Sequence, residues 1–313
     1  MNRLAGFFLL LICLSSAVIC DAQDLDTLWR MFLNDEDSPA GAEIIITIGK
    51  TGRGNRQAVD YINNYLNRQT EIYSAGTVVN YSVISACISA VLDMGDASSY
   101  DVLFTMFCAN YPEVISDEAA GAMDLIPGNL KQFLINIIDK YPSPDKLAAL
   151  RLCVNSQALS SFDRGQLAEL ALEISLDSPP DADLDVMRYL AVVTLTQLRW
   201  ARASSLAINN YYRVQADYYR GLVSRERLLE AIACLGAVGN SNAALVIILH
   251  LGLINARTGK NSFYDSDITT AYIQALGIIG DKAALDHLLH ITYLSYGENI
   301  QAAAREAIDR LKW

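Results

Sequence analysis

Ile268–His290 reads ITTAYIQALGIIGDKAALDHLLH, and Arg227–His250 reads RLLEAIACLGAVGNSNAALVIILH. The two stretches match. Leu235-Gly236-x-x-Gly239-Asn240 returns as Leu276-Gly277-x-x-Gly280-Asp281. Ala243-Ala244-Leu245-x-x-Ile248-Leu249-His250 returns as Ala283-Ala284-Leu285-x-x-Leu288-Leu289-His290. Self-similarity at a period of about 40 residues marks a repeat architecture. Each copy reads as two helices. In the last, Ile300, Ala303, Ala304, Ala307, Ile308 and Leu311 form one apolar stripe at period 3.6, with Gln301, Arg305, Glu306, Asp309 and Arg310 opposite. Gly277 and Gly280 read as the end of one helix, where left-handed backbone is wanted. Asp281, Asn240 and Asp96 read as caps of the helices that follow.

The frame continues upstream in worn form. Ile48-Gly49-x-x-Gly52 carries it near the start, and Val91 with Gly95-Asp96 in the next copy, behind Val83, Ala86, Cys87 and Ala90. Met187, Ala191 and Leu195 carry it before Arg199. Copies in 112–180 are degenerate and shorter, with turns at Pro127-Gly128 and Ser160-Ser161-Phe162-Asp163. Ile44–Ile48 has β-propensity, but the frame places it on a helix. One helix pair cannot bury its stripe alone, so copies must stack and the ends must be capped. The sequence therefore predicts an all-α fold: an α-solenoid, or superhelix, of stacked antiparallel helix pairs with about 16 helices and no sheet. Helix content is expected at about 65–75%, well above a globular average. Residues 23–39 read as an N-terminal capping segment and 40–313 as a single repeat domain, clearest over 181–313.

These copies resemble HEAT repeats, in particular the bacterial lyase-type variant. Ile268, Ala271, Ala275, Leu276 and Gly277 stand on the positions of that family's second helix, and Ile300, Ala303, Ala304, Ala307 and Ile308 repeat them. Arg188 after Met187 retains the family's arginine, which Thr269 and Gln301 replace in the last two copies. Asp177-Ser178-Pro179-Pro180-Asp181 resembles the family's Asp-Pro turn. The resemblance implies an armadillo-like helical fold. Its lyase name implies an enzymatic activity for which no residue here can be assigned, and such solenoids serve many roles.

Residues 1–22 read as a secretory signal peptide. Arg3 supplies the positive start, Leu4–Leu14 the apolar stretch, and Ala22 the small residue before cleavage. A lipid anchor on Cys20 is the alternative, and the bulky Ile19 before it argues against that. The apolar stretch is too short to span a bilayer, and no later window offers 18 apolar residues without a charge. The expected location is the bacterial periplasm or envelope, with no transmembrane segment.

The 313 residues are 52% hydrophobic and 19% charged, too apolar for disorder. The net charge of −11 argues against a nucleic-acid partner. Of six cysteines, Cys13 and Cys20 leave with the signal. Cys153 and Cys234 read as buried hydrophobes. Cys87 and Cys108 lie equidistant from the turn at Asp96–Ser98, so an antiparallel hairpin sets them at one height. Either a disulfide or two neighbouring buried thiols is expected there.

Tyr211-Tyr212-Arg213 recurs seven residues on as Tyr218-Tyr219-Arg220, so both triplets lie near one helix face. Tyr and Arg dominate interaction hot spots, which makes these six residues the candidate partner-binding patch. Inter-repeat packing is the competing assignment. His287 and His290 are spaced like metal ligands beside Asp286, but no further ligand is near in sequence and no metal is expected. No Gly-x-Ser-x-Gly elbow is present, and Thr51-Gly52-Arg53-Gly54 lacks phosphate-loop spacing. The sequence thus points to a cofactor-free, non-enzymatic scaffold or adaptor for a protein partner. The alternative is a ligand carrier or enzyme using a concave-face pocket, for which convergent polar groups with perturbed pKa values would speak.

Overall fold

The computed structural model describes residues 25–36, 38–260 and 263–312. The stretch 1–22 read as a signal peptide, Cys20 and the expected cleavage point at Ala22–Gln23 lie outside them. The fold is all-α: 79% helix, with sixteen helices and no strand among the described residues.

Two compact units form. The N-terminal one runs to Phe133 and includes Asn155–Leu159; the C-terminal one holds Leu134–Val154 and Ser160 onward. The sequence predicts one domain over 40–313. The division falls within the worn copies, where the pattern that ties neighbours together is weakest.

The N-terminal unit contains α1 (25–34), α2 (Pro39–Thr51), α3 (Arg56–Ser74), α4 (Tyr81–Met94), α5 (Tyr100–Cys108) and α6 (Glu113–Leu125). Here α2, α4 and α6 pack in series, and α3 lies against α4 and α5. Pro39 at the first turn and the Ser38 hydroxyl, accepting from the Ala40 and Gly41 amides, start α2, so Ile44–Ile48 is helical. The α1 helix docks through aromatics: Trp29 stacks on Tyr61 at 4.9 Å, and Phe32 meets Tyr65 edge-on at 4.9 Å.

No disulfide links Cys87 to Cys108; both are thiols. Only an antiparallel pairing of α4 with α5 would set the two sulfurs at one height. Instead α4 packs on α2, α3 and α6, while α5 packs on α3 and α6. Cys87 is buried, which raises its pKa, and Cys108 is half-buried. Cys153 and Cys234 lie in the core, and burial pushes their thiols up to about 12 and about 11.

The helices α7 (Leu130–Lys140) and α8 (Ser143–Asn155) lead into the C-terminal unit. There follow α9 (Ser161–Asp177), α10 (Ala182–Leu198), α11 (Ser204–Tyr219), α12 (Arg225–Val238), α13 (Ser241–Thr258), α14 (Ser266–Ile279), α15 (Leu285–Ile291) and α16 (Glu298–Asp309). In this unit α10, α12, α14 and α16 form one layer, and α9, α11, α13 and α15 the other. Each even helix packs on the odd one before it in sequence.

The repeated glycines do two jobs. Gly280 takes left-handed backbone at φ 71° and closes α14, as Gly95 does at φ 66° for α4. Gly236 and Gly277 do not end helices. A Cβ on Gly236 would sit 2.9 Å from the Ala275 Cα, and one on Gly277 would sit 3.0 Å from the Ala307 Cα. The small residues of the repeat thus let α12, α14 and α16 approach closely. Asn240 caps α13 directly. Asp96 and Asp281 instead cap three-residue 3-10 turns that lead into α5 and α15.

By length and composition α13 is the one described helix suited to crossing a membrane, at 18 residues and mean hydropathy 1.2. Arg257 lies within it, consistent with the absence of a charge-free window. It packs between α11 and α15 and against α12 and α14.

Candidate functional site

The tyrosine–arginine motif does not form one patch. Tyr211 is fully buried, whereas Tyr212 and Tyr219 are exposed and Tyr218 is half-buried. Adjacent residues on a helix differ by about 100° in direction, so Tyr211 continues the inward stripe of Ala207 and Val214 while Tyr212 turns to solvent. That i, i+4, i+7 stripe was the available signal for its burial. Arg220 pairs with Asp217 on the surface. Tyr219 remains 75% exposed.

Inside, Tyr211 anchors a polar cluster. Its hydroxyl lies 2.6 Å from that of Tyr272 and accepts from Gln215 Nε2 at 2.6 Å. Gln215 Nε2 also lies 3.2 Å from His250 Nδ1. Burial pushes Tyr272 up to about 12 and holds His250 below the ordinary 6.5. The folded chain therefore binds this imidazole proton less readily than the unfolded chain does. Stability from the neutral ring is fully present above pH 6.5 and is lost as pH falls from there through the lower folded value. Melting followed from about pH 7.5 to 5 should show this slope, and His250→Phe should flatten it. An unchanged slope in that variant would place the sensitivity elsewhere.

Arg213 leads to the second feature, a cleft of about 360 Å³ between α10, α11 and α12. Its Nη1 donates to the Ser175 carbonyl at 3.5 Å, and its Nη2 lies 3.9 Å from Asp185. Asp185 lines the cleft and holds Arg188 Nη2 at 3.0 Å. Arg188 is only 8% exposed, yet its Nη1 has no hydrogen-bond partner among the described residues. Burial and the nearby Arg213 and Arg227 guanidiniums hold its pKa below the ordinary arginine range, against Asp185 and Asp217. Arg227 lies over Tyr189, its guanidinium carbon 3.3 Å from the ring centroid. Tyr189 donates to Glu230 Oε1 at 2.8 Å. Glu230 Oε2 is 3.8 Å from Arg227 Nη1, an ion pair beyond hydrogen-bond reach. Asn210, 2% exposed, leaves Oδ1 unpartnered at the same wall. Val192, Val214 and Ala231 supply apolar lining, and the exposed Leu222 stands at the rim.

Sequence reasoning noted Arg188 only as a retained repeat position and missed Tyr189, Asn210, Arg227 and Glu230. No local pattern joins residues drawn from three helices. Among the described residues no group of three or more His, Cys, Asp or Glu side chains is placed to hold a metal. His287 and His290 lie on α15, and His287 is half-buried with its carbonyl accepting from Asn255.

On the solvent side of the odd layer, Leu245, Leu249 and Leu253 of α13 are 56%, 60% and 53% exposed. Their i, i+4, i+8 spacing makes one row, beside the helix that carries Tyr212 and Tyr219. No protein-family model matches this chain, and no curated protein matches it in sequence.

Proposed function

We propose that this chain is an exported, non-enzymatic HEAT-type adaptor that holds a protein partner in the bacterial periplasm or envelope. The observation that carries this reading is the solvent-facing leucine row of α13, with Tyr212 and Tyr219 on the neighbouring α11. Contiguous exposed apolar surface marks interaction sites, and exposed tyrosine adds rigid contact area. The repeat pattern and the signal-like stretch 1–22 support the same reading.

The test is affinity purification of the exported protein from its own envelope fraction. It is compared with a variant carrying Leu245→Gln, Leu249→Gln, Leu253→Gln and Tyr219→Ser. A partner recovered with the first and lost with the second, at unchanged helicity and melting, is the expected result. A partner recovered equally with both sinks the assignment to this face. A second reading, a ligand-binding protein, is favoured by the polar groups that converge on the α10–α12 cleft.

A further inference from the structure

Four buried polar atoms of residues that line the α10–α12 cleft lack hydrogen-bond partners among the described residues. Two are donors, Nη1 of Arg188 and of Arg227; two are acceptors, Oδ1 of Asn210 and Oε2 of Glu230. Folded proteins leave few such atoms unpaired, and here three helices bring four of them to one place. The carboxylates nearby are already engaged. Asp185 takes Arg188 Nη2 and lies near Arg213, and Glu230 gives its other oxygen to Tyr189. Glu230 Oε2 faces Arg227 Nη1 across 3.8 Å as an ion pair, so Arg188 Nη1 is the guanidinium nitrogen left to an acceptor from outside. A carboxylate matches guanidinium donors best. Asn210 Oδ1 asks for the opposite, an N–H donor. The remaining lining is apolar, from Val214 to Leu222 at the rim.

We propose that this cleft binds an α-amino carboxylate bearing an apolar side chain. Its carboxylate lies on Arg188, with the Arg227 guanidinium alongside, its N–H faces Asn210, and its side chain rests on Val214 and Leu222. A free apolar amino acid and the last residue of a peptide share this chemistry. The cavity of about 360 Å³ stands near the small end of ligand clefts, about 300–1,000 Å³, and suits a single residue with its flanks. The inference rests on the ligand-binding reading and is independent of the adaptor reading.

Calorimetric titration of the exported protein decides it, with four probes: L-leucine, L-leucinamide, acetyl-Gly-Gly-Leu and the same peptide amidated. At least one of the two acids is expected to bind with Kd at or below about 1 mM. Its amide should bind at least about tenfold more weakly, having lost the charge-assisted hydrogen bonds. Binding of leucine assigns a free amino acid; binding of the peptide alone assigns a chain terminus. Arg227→Gln, at a part-exposed side chain, should weaken the acid by about tenfold at unchanged melting. If that variant melts early, the acid–amide comparison on the unaltered protein still decides. Equal binding of acid and amide overturns the carboxylate assignment and leaves a ligand site. No binding by any probe up to about 10 mM overturns both.

Discussion

Gly236→Val is expected to destabilise the C-terminal unit by about 3 kcal/mol, at the upper end for an overpacked core position. The new Cβ would sit 2.9 Å from the Cα and 3.0 Å from the Cβ of Ala275 on α14. Those atoms belong to a helix and its shortest side chain, so no flexible tail can swing aside. To make room α12 must move off α14, and α12 also packs on α10 and α11. At about 2–4 °C per kcal/mol for a unit of this size, melting should fall by about 6–12 °C. Gly236→Ala is the graded control. Its smaller overlap is partly offset by about 1 kcal/mol of helix propensity, so it should lie between the two. Scanning calorimetry on all three proteins is the measurement. A valine variant melting with the parent would show that the close seam between α12 and α14 does not exist in solution.

Tyr211→Ala is expected to cost about 3–5 kcal/mol, the range for truncating a large aromatic in a core. Tyr212→Ala and Tyr219→Ala, at exposed positions, should each stay within about 0.5 kcal/mol of the parent. Tyr211 is fully buried, and its ring meets His250 edge-on at 5.5 Å. Removing it opens a void and strips the Tyr272 hydroxyl and Gln215 Nε2 of a shared partner. Urea unfolding of the three variants separates the cases. Similar small losses at all three positions would mean that the motif is a surface patch after all, with Tyr211 outside the core.

The fold is legible in the sequence because its signals are short-range. Asn240 before Ala243-Ala244 is a cap whatever the rest of the chain does: its side chain accepts from amides two and three residues on. Gly280 ends α14 because the left-handed backbone there is cheap only for glycine. The stripe of α16 fixes which of its sides turns inward. Even the Ala-Leu-Gly pattern is visible, although its purpose is not. Its place in the repeat suggests a helix end, and the structure shows Gly277 inside α14, seated against Ala307. A helix-end glycine and a close-packing glycine look alike in a sequence, because the difference lies in what stands opposite.

By itself the sequence determined the all-α class, about sixteen helices and several caps, since hydrogen bonds and capping act over three or four residues; the turn expected at Ser160–Asp163 is instead the N-cap and first turn of α9. The tertiary structure alone decided three other matters. It buried Tyr211 and exposed Tyr212, because the direction of a side chain counts only once neighbouring helices are in place. It kept Cys87 and Cys108 as thiols, because α4 packs on α2, α3 and α6 rather than on α5. And it drew Arg188, Asn210, Arg227 and Glu230 to one cleft from three separate helices. That convergence depends on how three helices are rotated and spaced against one another, and packing sets those quantities over distances that no local pattern records.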